Sequence, residues 1–276
     1  MKKTLHRLLN NNVEERKQYF DERGDELLDQ MLKHIGVPEN ELRDHLNYQL
    51  FSLLLSENRL SNKQLSNMTF TLINQDFLFN AIGEKDTDRI FIRSSSALWL
   101  AHLITVDHTQ PFLTEDERLN VFQTCITYLS KEKDVRGYVD EKGWAYAISN
   151  GVKLNNAIIH HPSFQLRFAP IILQGIKDSF WKGTVFIDDE DEHLVQTFYQ
   201  LILKDIPEEL FIEWVEQVFD QLQFYLYGNG YDSNYFTART NILHFMKSLY
   251  FILKFSQKMP ELKGVVSLFI AKWMNQ

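Results

Sequence analysis

Asp134, Arg136, Asp140 and Trp144 offer the densest chemistry in this sequence, within the segment Asp134-Val135-Arg136-Gly137-Tyr138-Val139-Asp140-Glu141-Lys142-Gly143-Trp144. Gly137 and Gly143 permit backbone conformations closed to other residues, so a bent loop can present the two acids and the arginine beside the indole. A guanidinium next to a tryptophan suits an anionic or planar ligand. The competing reading is structural: Asp134 and Arg136 pair within the turn while Trp144 plugs the core beneath it.

A second unusual segment, Phe224 to Phe236, surrounds an Asn-Gly turn with aromatics that suit sugars or a partner peptide. Asp232 facing Asp134 or Asp140 would make an acid and base pair for glycoside hydrolysis. The plainer reading packs the aromatic ends of two helices over a tight turn. Asp188-Asp189-Glu190-Asp191-Glu192 offers hard oxygens to calcium, yet lacks the spaced ligands and central glycine of an EF-hand loop; it reads as the acidic first turn of a helix.

His160-His161-Pro162 reads as a solvated loop, because adjacent residues point about 100° apart on a helix. His102 and His108 lack a metal spacing, and His244 falls on an apolar helix as a core histidine. Neither a metal site nor a cofactor is expected. The phosphate-binding and dinucleotide glycine motifs, the nucleophile elbow and the His-Glu-x-x-His zinc motif are all missing from the sequence. Cys125, beside Ile126 on an apolar stripe, reads as a buried space-filler rather than a nucleophile.

Composition narrows the setting. A net charge of −8 with dispersed Lys and Arg argues against a nucleic-acid partner. One cysteine cannot form an internal disulfide, which fits a reducing compartment and makes the cytoplasm the expected location. Met1-Lys2-Lys3 leads into polar residues, and no apolar run approaches the roughly 20 residues that span a bilayer, so neither secretion nor membrane insertion is expected. The 276 residues include 44% hydrophobic and 24% charged positions without a Pro-, Gly- or Ser-rich linker. They read as one all-helical domain over 1–276, with room for two lobes.

Helices must position the candidate residues. Thr114 with Glu117 and Ser61 with Gln64 have capping-box spacing, and Leu119, Phe122, Ile126 and Leu129 then recur at helical steps. Leu194, Phe198, Leu201 and Ile202 stripe the segment after the acidic run, and Pro207-Glu208-Glu209 suits a helix start. Residues 144–159, 164–180, 236–255 and 265–274 also read as helices, with a break expected at Pro170. Strand candidates are limited to 89–93 and 185–188; the longer loops fall near 83–92, 131–143, 181–190 and 227–235. Many helices with short connections predict an all-α fold, a HEAT-like antiparallel helix-pair solenoid, with an α/α toroid as the alternative.

The sequence resembles an uncharacterised bacterial family catalogued as domain of unknown function 2785. The resemblance rests on Arg93-Ser94-Ser95-Ser96-Ala97-Leu98, Asp107 with Pro111-Phe112-Leu113, Lys133 to Val139, and Lys142-Gly143-Trp144-Ala145. Weaker echoes lie at Asp189 to Glu192, Ala238 to Asn241, and Leu249-Tyr250. It covers most of the chain from about residue 90 onward and implies an all-helical cytosolic protein without a known activity. Members often carry histidines where this chain has Tyr146 and Asn150, and such a pair, four residues apart on one helical face, could ligate a metal. Both positions have departed here, which removes the implied metal.

The functional expectation is a cytosolic binding or scaffold protein. Its concave site, formed by Arg136, Trp144, Tyr146, Asn150, Asp134 and Asp140, would take a protein segment or a small polar ligand. The alternative is a hydrolase-like enzyme that draws its carboxylates from Asp134, Asp140 and Asp232 in a helical-barrel pocket.

Overall fold

The computed structural model describes residues 1–274, and apart from one two-stranded hairpin their regular structure is helical. The chain divides into two compact units: residues 1–128 with 132–163, and residues 129–131 with those from 164 onward.

The first unit contains α1 (Lys2–Asn10), α2 (Val13–Lys33), a π-helical stretch (Glu41–Tyr48) running into α3 (Gln49–Ser56), α4 (Asn62–Leu72), α5 (Arg89–Thr109) and α6 (Glu115–Cys125). After α7 (Tyr128–Lys131), at the division, come β1 (Tyr138–Val139), β2 (Gly143–Trp144) and α8 (Ala147–His160). Capping boxes start three of these helices: Asn12 with Glu15, Ser61 with Gln64, and Thr114 with Glu117. Each satisfies two backbone donors that a helix start would leave orphaned. The most extensive helix pairing sets α5 against α8. α5 buries Ile90, Phe91, Ala97, Trp99, Leu100, Leu103 and Ile104, more than one face, as a central helix must. Trp99 stacks on Phe51 with centroids 4.0 Å apart.

The second unit contains a 3₁₀ turn (Leu166–Phe168), α9 (Ala169–Ser179), α10 (Glu190–Ile202), α11 (Glu208–Asn229), α12 (Ser233–Ser256) and α13 (Pro260–Met274). Phe180, Phe198, Trp214 and Phe245 form its aromatic centre, and the Trp214 indole donates to the Leu173 carbonyl at 3.0 Å. Glu190, Asp191 and Glu192 occupy the first turn of α10, and α11 begins directly after Pro207.

Several local expectations change. Residues 89–93 open α5 instead of a strand: their apolar run reflects burial on several sides of a helix, with Arg93 accommodated by an internal ion pair. Residues 185–188 are not a strand either; the Phe186 N–H donates to the Asn241 side chain in place of a ladder partner. The helix expected from residue 144 starts at Ala147, because Trp144 belongs to β2. Pro170 sits in the first turn of α9, so the expected break is a helix start. His161 is buried, not solvated: its Nδ1 accepts from the Ser163 N–H, and its Nε2 lies 3.3 Å from Asp107. His244, in contrast, faces out. Phe224 and Tyr227 are exposed, whereas Tyr231 and Phe236 stack on each other and meet the buried Tyr235 at the start of α12, as the packed reading expects.

Candidate ligand-binding site

The hairpin exists because the sequence pins it from three sides. Tyr138 pairs with Trp144 and Val139 with Gly143. Gly143 has φ +80°, and a Cβ there would stand 2.9 Å from Asn40 Nδ2, so both backbone and space require glycine. Arg43, buried in the π-helical stretch, lies over the Phe91 ring at 4.2 Å and donates to the Lys142 and Trp144 carbonyls at 3.0 and 3.4 Å. Asp44 balances its charge through bonds of 2.7 and 2.9 Å. π-Helical segments are rare and recur at functional sites.

A polar relay fixes the turn into α8. The Ser94 hydroxyl donates to the Ala145 carbonyl, and Asn150 Nδ2 donates to Ser94 Oγ at 2.9 Å and to the Ser94 carbonyl at 3.2 Å. Between them Tyr146 adopts a left-handed backbone, φ 54° and ψ 30°, while its carbonyl accepts the first helical bond from Asn150. A bulky residue in this region stores on the order of 1–2 kcal/mol of strain. Such strain persists only where its surroundings over-determine it, and it gathers at functional sites.

Its result is an aromatic rim. Trp144 and Tyr146 stack with centroids 5.3 Å apart at 13°, and Tyr138 meets Trp144 edge-on. Trp144 remains 37% and Tyr146 40% exposed, so Trp144 does not plug the core. Both border a depression of about 260 Å³ whose walls come from the π-helical stretch, α5, the hairpin and α8. Asn150 lies in it with Ser94, Tyr48 and Lys153. Tyr146 and Asn150 therefore share one cavity, although Tyr146 caps the helix and only Asn150 stands inside it. Among the described residues no group of three or more His, Cys, Asp or Glu is placed to hold a metal.

Lys153 shares the wall of this cavity with the Arg43 and Asp44 pair. Its Nζ donates to Asn150 Oδ1 at 3.4 Å, and no carboxylate lies within ion-pair distance among the described residues. Enclosure by the surrounding walls lowers its pKa. Lys153 and Leu98 also border a second depression, of about 420 Å³, that contains His102, His108 and His160. The Tyr48 hydroxyl and His102 Nε2 share a hydrogen bond of 2.8 Å. Burial lowers the His102 pKa, assisted by the positive charge of Lys153, and burial raises that of the Tyr48 phenol. Tyr48 and Lys153 have no mark in the sequence beyond the placing of Lys153 one helical turn past Asn150, and the histidines, which lack a metal spacing, meet them only across the fold.

The remaining candidates have other duties. Asp134 is buried and accepts from Arg136 Nε at 2.9 Å, from the second guanidinium nitrogen at 2.7 Å and from the Asp86 N–H at 2.9 Å. Arg136 also donates to the Thr87 carbonyl at 2.8 Å, so the pair clips one loop to another. Asp140 is exposed in the hairpin turn. Asp232 caps α12 through the Tyr235 N–H at 2.7 Å and accepts from the Tyr225 hydroxyl. These bonds hold its carboxyl below the usual range, opposite to what a general acid requires.

An all-helical chain with one pinned hairpin and a polar, aromatic-rimmed depression defines an α-class protein with a small-molecule-sized cavity. Over residues 78–251 it matches the family described as "Protein of unknown function (DUF2785)", and the chain belongs to that family. Comparison with curated proteins and with solved structures gives no match. The residues that carry the family resemblance are largely internal clips. Arg93 pairs with Glu132, Asp107 holds the Phe112 and Leu113 N–H groups together with Arg118, and Asn241 spans Phe180, Thr184 and Phe186. Among the described residues no helix is long and apolar enough to cross a membrane.

Proposed function

We propose that the first unit is a cytosolic binding module and that the depression beside Trp144, Tyr146 and Asn150 is its ligand site. The observation that carries this reading is the Trp144 and Tyr146 pair: a left-handed backbone at Tyr146 sets two stacked, partly exposed aromatic rings at the edge of a cavity that Asn150 also lines. The volume favours a small polar ligand over a long protein segment. The net charge of −8 supports a partner other than nucleic acid. A HEAT-like helix-pair array belongs to the same proposal, with the toroid as its alternative. In the second unit α10 meets α12 and α11 meets α13, while α11 and α12 each meet the next helix, as stacked pairs do.

A thermal-shift screen of polar small molecules, sugars and short peptides tests the reading. A ligand at a hundred times its Kd stabilises by about 2.7 kcal/mol. The expected result is a rise in Tm for the wild type that disappears in Trp144→Ala/Tyr146→Ala. A screen without hits, or hits that survive both truncations, would refute it.

A further inference from the structure

Among the described residues, Lys153 has no carboxylate within ion-pair distance, and the one hydrogen bond of its ammonium is to the neutral Asn150 Oδ1, at 3.4 Å. Asp44, the acid on the same wall, is already engaged by both nitrogens of the Arg43 fork. Lys153 is solvent-exposed where it borders the cavity, and its ammonium gains when an anion arrives whose ring excludes water from the pair. The opposite feature of the cavity is flat and apolar: the near-parallel faces of Trp144 and Tyr146, both partly exposed. Aromatic faces of this kind take another ring by offset stacking.

Resting on the binding reading above, we propose that the depression takes a small planar-ring carboxylic acid, its ring against the Trp144 and Tyr146 pair and its carboxylate on the Lys153 ammonium. The two features lie in one cavity of about 260 Å³, which fits a one- or two-ring acid. Asn150 gives the site its geometry. Its Nδ2 is committed to Ser94 while its Oδ1 receives Lys153, so the ammonium is tethered to the same relay that fixes the aromatic turn. The Tyr48 hydroxyl, hydrogen-bonded to His102, supplies a further polar group on the wall.

Isothermal titration of the full chain with indole-3-acetate and with the neutral indole-3-acetamide separates charge from ring. The wild type should bind the acid at least about tenfold more tightly than the amide, a difference on the scale of one charge-assisted hydrogen bond. Lys153→Met should abolish that preference and Lys153→Arg should keep most of it, while Trp144→Ala weakens both probes alike. Lys153 reaches solvent, so its variants keep the wild-type melting temperature. Equal affinity of the wild type for the two probes, or a preference that survives Lys153→Met, overturns the acid assignment and leaves the binding site standing. If neither probe binds, the ring-acid class is wrong, and the wider ligand screen decides the binding reading by itself.

Discussion

Replacing Arg93 by methionine should destabilise the first unit severely, and a second substitution should repair part of the damage. Arg93 and Glu132 are both fully buried and joined by bonds of 2.6 and 2.9 Å. Glu132 Oε1 also accepts the Lys133 and Asp134 N–H groups at 2.9 Å each, and Arg93 donates to the Asn80 carbonyl at 3.0 Å. Arg93→Met leaves a buried carboxylate without its counter-charge, which costs about 3–5 kcal/mol. Changing Glu132 to leucine as well would strand the two N–H groups, at roughly 1–3 kcal/mol each. Glu132→Gln avoids this, since an amide oxygen still accepts both while the charge is gone. The double variant Arg93→Met/Glu132→Gln should therefore be more stable than Arg93→Met alone by about 1–3 kcal/mol. Urea titration with hydrogen exchange read on peptides from α5 and residues 132–136 assigns the loss to this unit. A double variant no more stable than the single would refute the reasoning, because the penalty would then lie in packing and not in the orphaned charge.

Further outcomes follow from Asp107 and Tyr146. Burial pushes the Asp107 carboxyl up, but the His161 imidazole 3.3 Å away and hydrogen bonds from Arg118 and the Leu113 and Phe112 N–H groups outweigh it and hold the pKa well below the usual carboxylate range. A depressed folded-state pKa contributes stability above the unfolded value near 3.9 and loses it as pH falls further, so Tm should drop below about pH 4. In Asp107→Asn the protein should be less stable at pH 7, with a shallower acid limb; an unchanged limb would show that other carboxylates set it. Tyr146→Gly relieves left-handed strain but gives up the stack on Trp144, terms of about 1–2 and 0.5–1.5 kcal/mol that nearly cancel. Unfolding free energy should stay within about 1 kcal/mol of the wild type while binding at the depression falls; a loss above 3 kcal/mol would make the residue structural.

The sequence made visible what is local. Ser61 with Gln64 and Thr114 with Glu117 form the expected capping boxes because their partners are three residues apart. The acidic run before α10 and Pro207 before α11 were readable for the same reason. Residues 89–93 were misread since an apolar, β-branched run looks alike on a strand and on a helix buried all round. At the site, Trp144, Tyr146 and Asn150 were noticed as residue types, but Asp134 and Arg136 belong to a clip between loops. Arg43 grips carbonyls about a hundred residues away, and Tyr48 meets His102 across the fold. No spacing encodes such encounters; they arise where the π-helical stretch packs against the hairpin and α5.

That division between clips and rim bears on where function lies. Arg93, Asp107, Asp134 and Asn241 each sit inside the protein with their polar atoms bonded to backbone or to an opposite charge, so each is explained once the fold is explained. A buried polar network left half satisfied would cost more than an apolar core, and this alone suffices to retain such residues. Trp144, Tyr146 and Lys153 are different. Two are aromatic yet partly exposed, one of those has a left-handed backbone, and the third carries a charge that no acidic side chain meets among the described residues. The hydrogen bonds from Lys153 to Asn150, from Asn150 to Ser94 and from Ser94 to the Ala145 carbonyl run along the wall of the cavity that all three border. Partly exposed aromatic rings held by a buried polar framework are therefore where a search for a ligand starts, and substitutions at the framework residues read out folding instead.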